Sequence, residues 1–129
     1  MIYLRCEEVK LYDIAEEVRR SITKSGVHHG LCVVTAHSPA CAVVLTVKDD
    51  EDVHQDILDD FERIVPARLD YRHNTDPHEA AARTKSALTG PSLDLIVRDG
   101  EPLLGMHQGI YLANYKTRNL CEISIVCMG

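Results

Sequence analysis

The sequence has few aromatic residues and no excess of positive charge. Among its 129 residues are five Tyr, one Phe and no Trp, and 20 Asp and Glu face 14 Lys and Arg, which gives a formal net charge of −6. Nucleic-acid binding needs a basic face and favours aromatic rings on which bases can stack. We therefore expect no nucleic-acid partner.

Long apolar segments are also missing. The first residues run from Met1 into the charged Arg5, so they lack the apolar core of a signal peptide, and no later apolar run could cross a bilayer. We expect no membrane partner and a cytoplasmic location. The chain length suits one hydrophobic core, so a single domain over residues 1–129 is predicted.

No two of the five cysteines form a CxxC pair, which excludes a zinc finger. Their odd number and wide spacing argue against a disulfide framework. Most are flanked by Val, Ile or Ala, where a thiol behaves as a small hydrophobic group. We predict that they are buried and inert.

Two common catalytic patterns are absent. The segment Gly105 to Gly109 contains neither a GxGxxG nor a Walker motif, so its glycines are predicted to allow a tight turn. His37 and Ser38 are neighbours in sequence, which does not make them a nucleophile and its base. Neither a P-loop nor a serine hydrolase is expected.

Apolar spacing and capping residues predict three helices. The first runs from Asp13, as N-cap, to Gly26, and the second begins near Asp49 and Asp50 and ends at Pro66. The third begins with Asp76 as N-cap, Pro77 at the first position and Glu79 as the returning arm of a capping box, and it reaches Leu88 or Thr89.

The remaining apolar segments read as strands. Leu31 to Thr35 and Cys41 to Val47 are nearly continuous in apolar residues, which predicts strands buried on both faces. Further strands are predicted over residues 93–97, 110–113 and 121–127. Three helices among six or seven strands, without regular alternation, indicate an α+β fold with packed sheets.

Four segments, in this order, resemble the YjbQ-like family, whose members are in part described as secondary thiamine-phosphate synthases. They are Ala36-His37-Ser38-Pro39-Ala40, Tyr71-Arg72-His73-Asn74, Lys85 to Leu93, and Leu104 to Tyr111. The resemblance covers nearly the whole chain. It implies packed mixed or antiparallel β-sheets with about three helices outside them, and a homotrimer with its site close to a subunit boundary.

The chain departs from the family pattern at four positions. Arg83 stands where the family helix has a histidine, and Glu79 where it has an asparagine. His107 replaces a tryptophan, and Asn114 replaces a glutamate. These changes bear on the site rather than on the fold.

The resemblance implies a histidine-centred site. His37, His73, Arg83 and Gln108 are the predicted catalytic residues. The predicted substrate-binding residues are Ser38, Asn74, Arg83, Lys85, Ser86 and Tyr111. Because arginine cannot ligate a metal, a zinc or magnesium ion would need His107 beside His37 and His73.

Two other readings of the charged residues remain open. Arg83 with Lys85 suits a phosphate or carboxylate better than a metal, although both could be ordinary exposed helix residues. The carboxylates of residues 49–52 could hold magnesium, but the start of a helix accounts for them more simply.

The leading hypothesis is an enzyme acting on a small phosphorylated metabolite, with secondary thiamine-phosphate synthase activity as the family implies. Its competitor is a non-catalytic trimer that binds a metal or metabolite. In a third reading, of a purely structural protein, His37 and His73 would only stabilise the fold.

Overall fold

The structure is a computed structural model that describes residues 1–73 and 75–129. Over these ranges the chain forms three helices and eight strands. In chain order they are β1 (Ile2–Cys6), β2 (Lys10–Asp13), α1 (Ala15–Ser25), β3 (His29–Ala36), β4 (Cys41–Val47), α2 (Glu51–Ile64), α3 (Pro77–Thr89), β5 (Ser92–Arg98), β6 (Glu101–Pro102), β7 (Gln108–Asn114) and β8 (Asn119–Met128).

The strands form two sheets. The larger has the order β1-β8-β3-β5-β6 and the smaller the order β2-β7-β4. Each described strand pair is antiparallel. β3 and β4 follow one another along the chain yet belong to different sheets, so the loop between them crosses from one layer to the other.

The main core lies between the two sheets. Val34 and Ile123 of the larger sheet share a buried cluster with Val43 and Leu112 of the smaller sheet and with Val18 of α1. Strand residues two apart point to the same face, which brings these alternate positions together.

A second core covers the other face of the smaller sheet. Ala42 and Ala113 pack there with Leu58 of α2 and Ala82 of α3. Two helices therefore lie outside the paired sheets. This confirms the predicted α+β fold and shows that its sheets are antiparallel.

One strand prediction is wrong. β3 is buried on one face only, and Leu31 is 45% exposed. Its alternate residues, among them Cys32 and Val34, face the core, while Leu31 and Val33 lie on the outer face of the larger sheet.

The helix starts need two corrections. α1 begins at Ala15, because Asp13 ends β2, but the Asp13 carboxylate still accepts a hydrogen bond from the Ala15 N–H at 2.9 Å. Asp76 caps α3 as predicted. Glu79 is engaged by Arg83 and not by the helix start, so the capping box is incomplete.

In the part of the chain that the structure describes, no helix has the length and the apolar content required to cross a lipid bilayer.

Candidate functional site

His37 lies at the end of β3, in the loop that leads to β4. Its ring Nε2 is 2.7 Å from the Ser124 hydroxyl oxygen on β8, and its backbone N–H donates to the carbonyl of Glu122. Ser124 pairs with Thr35 on β3 and shares the outer face of the larger sheet with it. The imidazole is thus exposed and held at one end of that face.

Ser38 belongs to a polar network inside the protein. Its hydroxyl accepts a hydrogen bond from the Asn119 side-chain amide at 3.3 Å. The same amide donates to the Cys41 sulfur at 3.3 Å and to Asn114 Oδ1 at 3.1 Å. The network connects the loop to β4, β7 and β8.

The Cys41 thiol has an altered acidity within this network. A hydrogen bond from the Cys121 thiol lowers the pKa of Cys41, and Ser38 and Asn119 add to the effect while burial opposes it. The bond to Cys41, together with burial, raises the pKa of Cys121.

A cavity of about 360 Å³ lies beside the first half of α3. It is bounded by α2, α3 and the connection between β7 and β8, and its lining residues are Val9, Glu62, Asp76, His78, Glu79, Lys85, Tyr115, Lys116 and Thr117. Of the predicted site residues in the described ranges, Lys85 is the one that lines it.

Lys85 is buried on α3, and only 7% of its side chain is exposed. Its ammonium lies 2.6 Å from a carboxylate oxygen of Glu62 on α2, whose side chain is 52% exposed. A buried ammonium is costly unless it is paired with a negative group. The pair therefore joins a desolvated cation to a carboxylate that reaches water.

Arg83 lies one helical turn after Glu79 on the same helix. Its guanidinium is 2.9 Å from the Glu79 carboxylate, which also pairs with Lys116 at 3.4 Å. Two cations thus share one carboxylate at the edge of the cavity.

Two predicted substrate-binding hydroxyls are already bonded within the protein. Ser86 is buried and donates to the Cys41 carbonyl. The Tyr111 hydroxyl accepts from the Asp49 N–H at 3.2 Å, and its ring meets His54 edge-on. Burial raises the pKa of Tyr111, partly offset by the Asp49 N–H. Neither side chain lines the Lys85 cavity.

Gln108 and His107 lie at the far end of the smaller sheet. Gln108 pairs with Val47 and Asn114 with Cys41, six residues apart along β7. At about 3.4 Å per residue this separation is roughly 20 Å. The Gln108 side chain accepts from the Gly105 N–H at 2.8 Å.

The predicted metal set does not fit within one chain, because His37 and His107 lie near opposite ends of the β4–β7 pair. Among residues 1–73 and 75–129 no three His, Cys, Asp or Glu side chains are grouped to hold a metal ion. A zinc or magnesium ion held by His37, His73 and His107 stays a prediction.

The loop between α2 and α3 carries the other two predicted residues. His73 is exposed there, whereas Asn74 lies outside the described residues.

The acidic segment at the start of α2 acts as a helix start, since Asp50 caps the helix by accepting from the Val53 N–H at 3.1 Å.

Sequence reasoning missed Glu62 and Lys116 as cavity residues. Glu62 is an exposed residue of an acidic helix, and its pairing across helices leaves no mark in the sequence. The available signal was the position of Lys85, on a helix face that also buries Ala81, Ala82 and Ser86. A lysine on such a face requires a partner.

Known proteins resemble this chain over nearly its whole length. Residues 2–128 match the family described as UPF0047 protein YjbQ-like. A UPF0047 protein of Methanocaldococcus jannaschii is 30% identical over 123 residues, covering 93% of this chain and 86% of that protein. The UPF0047 protein YugU of Bacillus subtilis is 28% identical, with 82% and 80% covered.

Solved structures agree with the fold. The crystal structure of an uncharacterised conserved protein of the YjbQ/UPF0047 family from Clostridium acetobutylicum has a TM-score of 0.90 and 26% identity, with 98% of both chains covered. A structure from Sulfolobus solfataricus reaches a TM-score of 0.91 at 24% identity, covering 99% of this chain and 94% of the other. The sequence match and the shared architecture together show that the chain belongs to the YjbQ-like, UPF0047 family.

Proposed function

We propose that this chain is a small-molecule enzyme that binds a phosphorylated metabolite in the cavity beside Lys85. The observation that carries the proposal is the unequal exposure of the Lys85–Glu62 pair, 7% against 52%. The Lys85 side chain is largely shielded from water, whereas the Glu62 carboxylate can swing into water at little cost. A phosphate oxygen can then take the place of Glu62.

Two cations at the edge of the cavity support an anionic ligand. Arg83 and Lys116 share the single carboxylate of Glu79, so this trio carries an excess positive charge. The first turn of α3, at Asp76 and His78, also faces the cavity, and the Asp76 carboxylate already caps the N–H groups of His78 and Glu79 there.

The reaction that we propose to test is a secondary thiamine-phosphate synthase activity. In it a pyrimidine diphosphate is joined to a thiazole phosphate and pyrophosphate leaves. Lys85 and Arg83 would neutralise the phosphate charge, His37 and His73 would act as acid/base groups, and Gln108 would orient the substrate. His78 is the histidine that lines the cavity itself.

We propose a homotrimer as the working form. Asn114 lies at the end of β7 that is near the cavity, and Gln108 lies roughly 20 Å away at the other end of this strand, too far to reach the cavity of its own chain. A second copy could supply Gln108 to this cavity. The outer face of the larger sheet supports an interface, since Leu31, Ile96, Val126 and Met128 are each about half exposed there. An apolar patch of this kind typically marks an interaction surface.

Titration with inorganic pyrophosphate, followed by calorimetry, tests the binding site. Lys85→Met should weaken binding about tenfold or more, because a charge-assisted hydrogen bond contributes about 1.5–3 kcal/mol. Glu62→Gln should bind several-fold more tightly, because the competing carboxylate is gone. Lys24→Met, on the exposed surface of α1, is the matched control.

Equal affinity in the Lys85→Met, Glu62→Gln and control variants would place the anion elsewhere and overturn the site. Turnover is measured separately, as thiamine phosphate formed from the two substrates by wild type and by His37→Ala. Turnover that depends on His37 supports the enzyme. Saturable binding without turnover would contradict the enzyme hypothesis and favour the non-catalytic metabolite-binding trimer.

A further inference from the structure

A pair of cysteines lies away from the cavity, on the neighbouring strands β3 and β8. Cys32 and Cys127 are register partners on these antiparallel strands, and directly opposed residues point to the same face of a sheet. Opposed Cα atoms are about 4.5–5.5 Å apart, within the roughly 4.4–6.8 Å range of disulfides. The register therefore places the two side chains within the range in which a disulfide can form.

Exposure gives the two thiols different roles. Cys127 is partly exposed, whereas Cys32 is fully buried. Burial, with a hydrogen bond from its thiol to Cys127, raises the pKa of Cys32 to about 12. Cys32 therefore stays protonated and close to the Cys127 sulfur, which an oxidant in solution reaches first.

We propose that Cys32 and Cys127 form a redox modification site, in which hydrogen peroxide oxidises Cys127 and Cys32 resolves the product into a reversible cross-strand disulfide. Cys127 loses its proton to water, and its sulfur attacks a peroxide oxygen. The O–O bond breaks, hydroxide leaves, and Cys127 becomes a sulfenic acid.

In the second step the Cys32 sulfur attacks the Cys127 sulfur. The S–S bond forms as the S–O bond breaks, and the departing hydroxide takes the Cys32 proton to become water. Overall two thiols lose two hydrogen atoms and one peroxide becomes two molecules of water. A dithiol reductant reverses the change.

The other three cysteines provide an internal comparison. Cys6, Cys41 and Cys121 are fully buried, and the hydrogen-bonded pair of Cys41 and Cys121 joins strands of different sheets. The two thiols are close together both in the Cys41–Cys121 pair and in the Cys32–Cys127 pair. Only the second pair has a partly exposed sulfur, and this access to peroxide is why we expect Cys32 and Cys127 to be oxidised.

The experiment is mass spectrometry of the protein after brief peroxide treatment and alkylation of the remaining thiols. Trypsin leaves Cys32 and Cys41 together in residues 25–48, and Cys121 and Cys127 together in residues 119–129. A second protease that cuts after Glu122 separates the last two. The Cys41→Ala variant removes the ambiguity in the first peptide.

We expect residues 25–48 linked to residues 123–129, in wild type and equally in Cys41→Ala, and released by dithiothreitol. Cys127→Ser should show no link, and Cys32→Ala should accumulate Cys127 as sulfinic acid. Circular dichroism checks that each variant is folded. A link through Cys121, a link between two chains, or Cys127 sulfinic acid beside unlinked Cys32 in wild type would overturn the proposal.

Discussion

Asn114 shows how much one buried amide can hold together. It is fully buried at the end of β7, and its amide nitrogen donates to the carbonyls of Glu8 and Lys116 at 2.8 and 2.7 Å. Its oxygen accepts from Asn119 and Cys41. Asn114 stands where the family pattern has a glutamate. In this protein its side chain bonds to other residues of the chain and stabilises the fold.

Replacing Asn114 by Ala should lower the free energy of unfolding by about 3 kcal/mol or more. Two backbone carbonyls would lose this donor and the Asn119 amide one of its three acceptors, and a buried group left without a partner costs about 1–3 kcal/mol. Urea unfolding measures the loss. Gln55→Ala, which removes an exposed amide of α2, is the control, and a loss no greater than in this control would contradict the prediction.

The candidate site was only partly predictable at this scale. The sequence placed Arg83 and Lys85 together on one helix, and the structure shows that the two differ in exposure, 46% and 7% of their side chains. That difference depends on which face of α3 meets the smaller sheet. The first half of α3 is rich in alanine, and its small apolar side chains do not mark clearly which face of the helix is buried. The sequence therefore does not show which of the two cations is buried.

Capping residues set the start of α3. The Asp76 carboxylate accepts from the N–H groups of His78 and Glu79 at 3.1 and 3.3 Å, and Pro77 follows it. These contacts satisfy two of the backbone donors that a helix leaves free at its first turn. The same turn forms one wall of the cavity, so the cap also positions that wall.

Asp76→Ala should therefore destabilise the protein by about 1 kcal/mol, the usual cost of losing an N-cap. Asp76→Asn keeps an acceptor oxygen and should cost only a few tenths of that amount. The difference between the two variants, measured by urea unfolding, isolates the cap. Equal losses in both variants would mean that the charge matters and the cap does not.

At the level of elements, helices were predicted more closely than strands. α2 and α3 begin and end where their caps and prolines indicate, because these signals are local. β1, β2 and β6 were missed. They are two to five residues long, and in β1 the inward Ile2, Leu4 and Cys6 alternate with the outward Tyr3 and Arg5 over too few residues to stand out. Such short segments adopt the strand conformation because they pair with neighbouring strands, and this pairing cannot be seen in the local sequence.

The whole molecule should lose stability in alkaline solution. Burial raises the pKa of Cys6, Cys32, Tyr111 and Tyr115, and the bond to Cys41 with burial raises that of Cys121. In each the folded state favours the protonated form. Their contribution is complete below the ordinary values of 9.0 and 10.0 and is lost as pH rises above them.

Cys41 acts in the opposite direction, because its pKa is lowered, but it is one group against five. Since a tenfold change in proton affinity corresponds to about 1.4 kcal/mol, the free energy of unfolding should fall by more than about 2 kcal/mol between roughly pH 8 and pH 10.5. Urea unfolding under reducing conditions measures it. Cys32→Ala should flatten the slope, and a constant stability over this range would refute the prediction.

The order of strands in the larger sheet has a consequence for how the protein is made. β8 follows the other four strands of this sheet in sequence, yet it lies between β1 and β3 and joins them. Such pairings over long sequence separations are slow to form. During synthesis the ribosome makes β1 and β3 well before residues 119–128, so the larger sheet stays incomplete, with unpaired strand edges, until those residues have emerged.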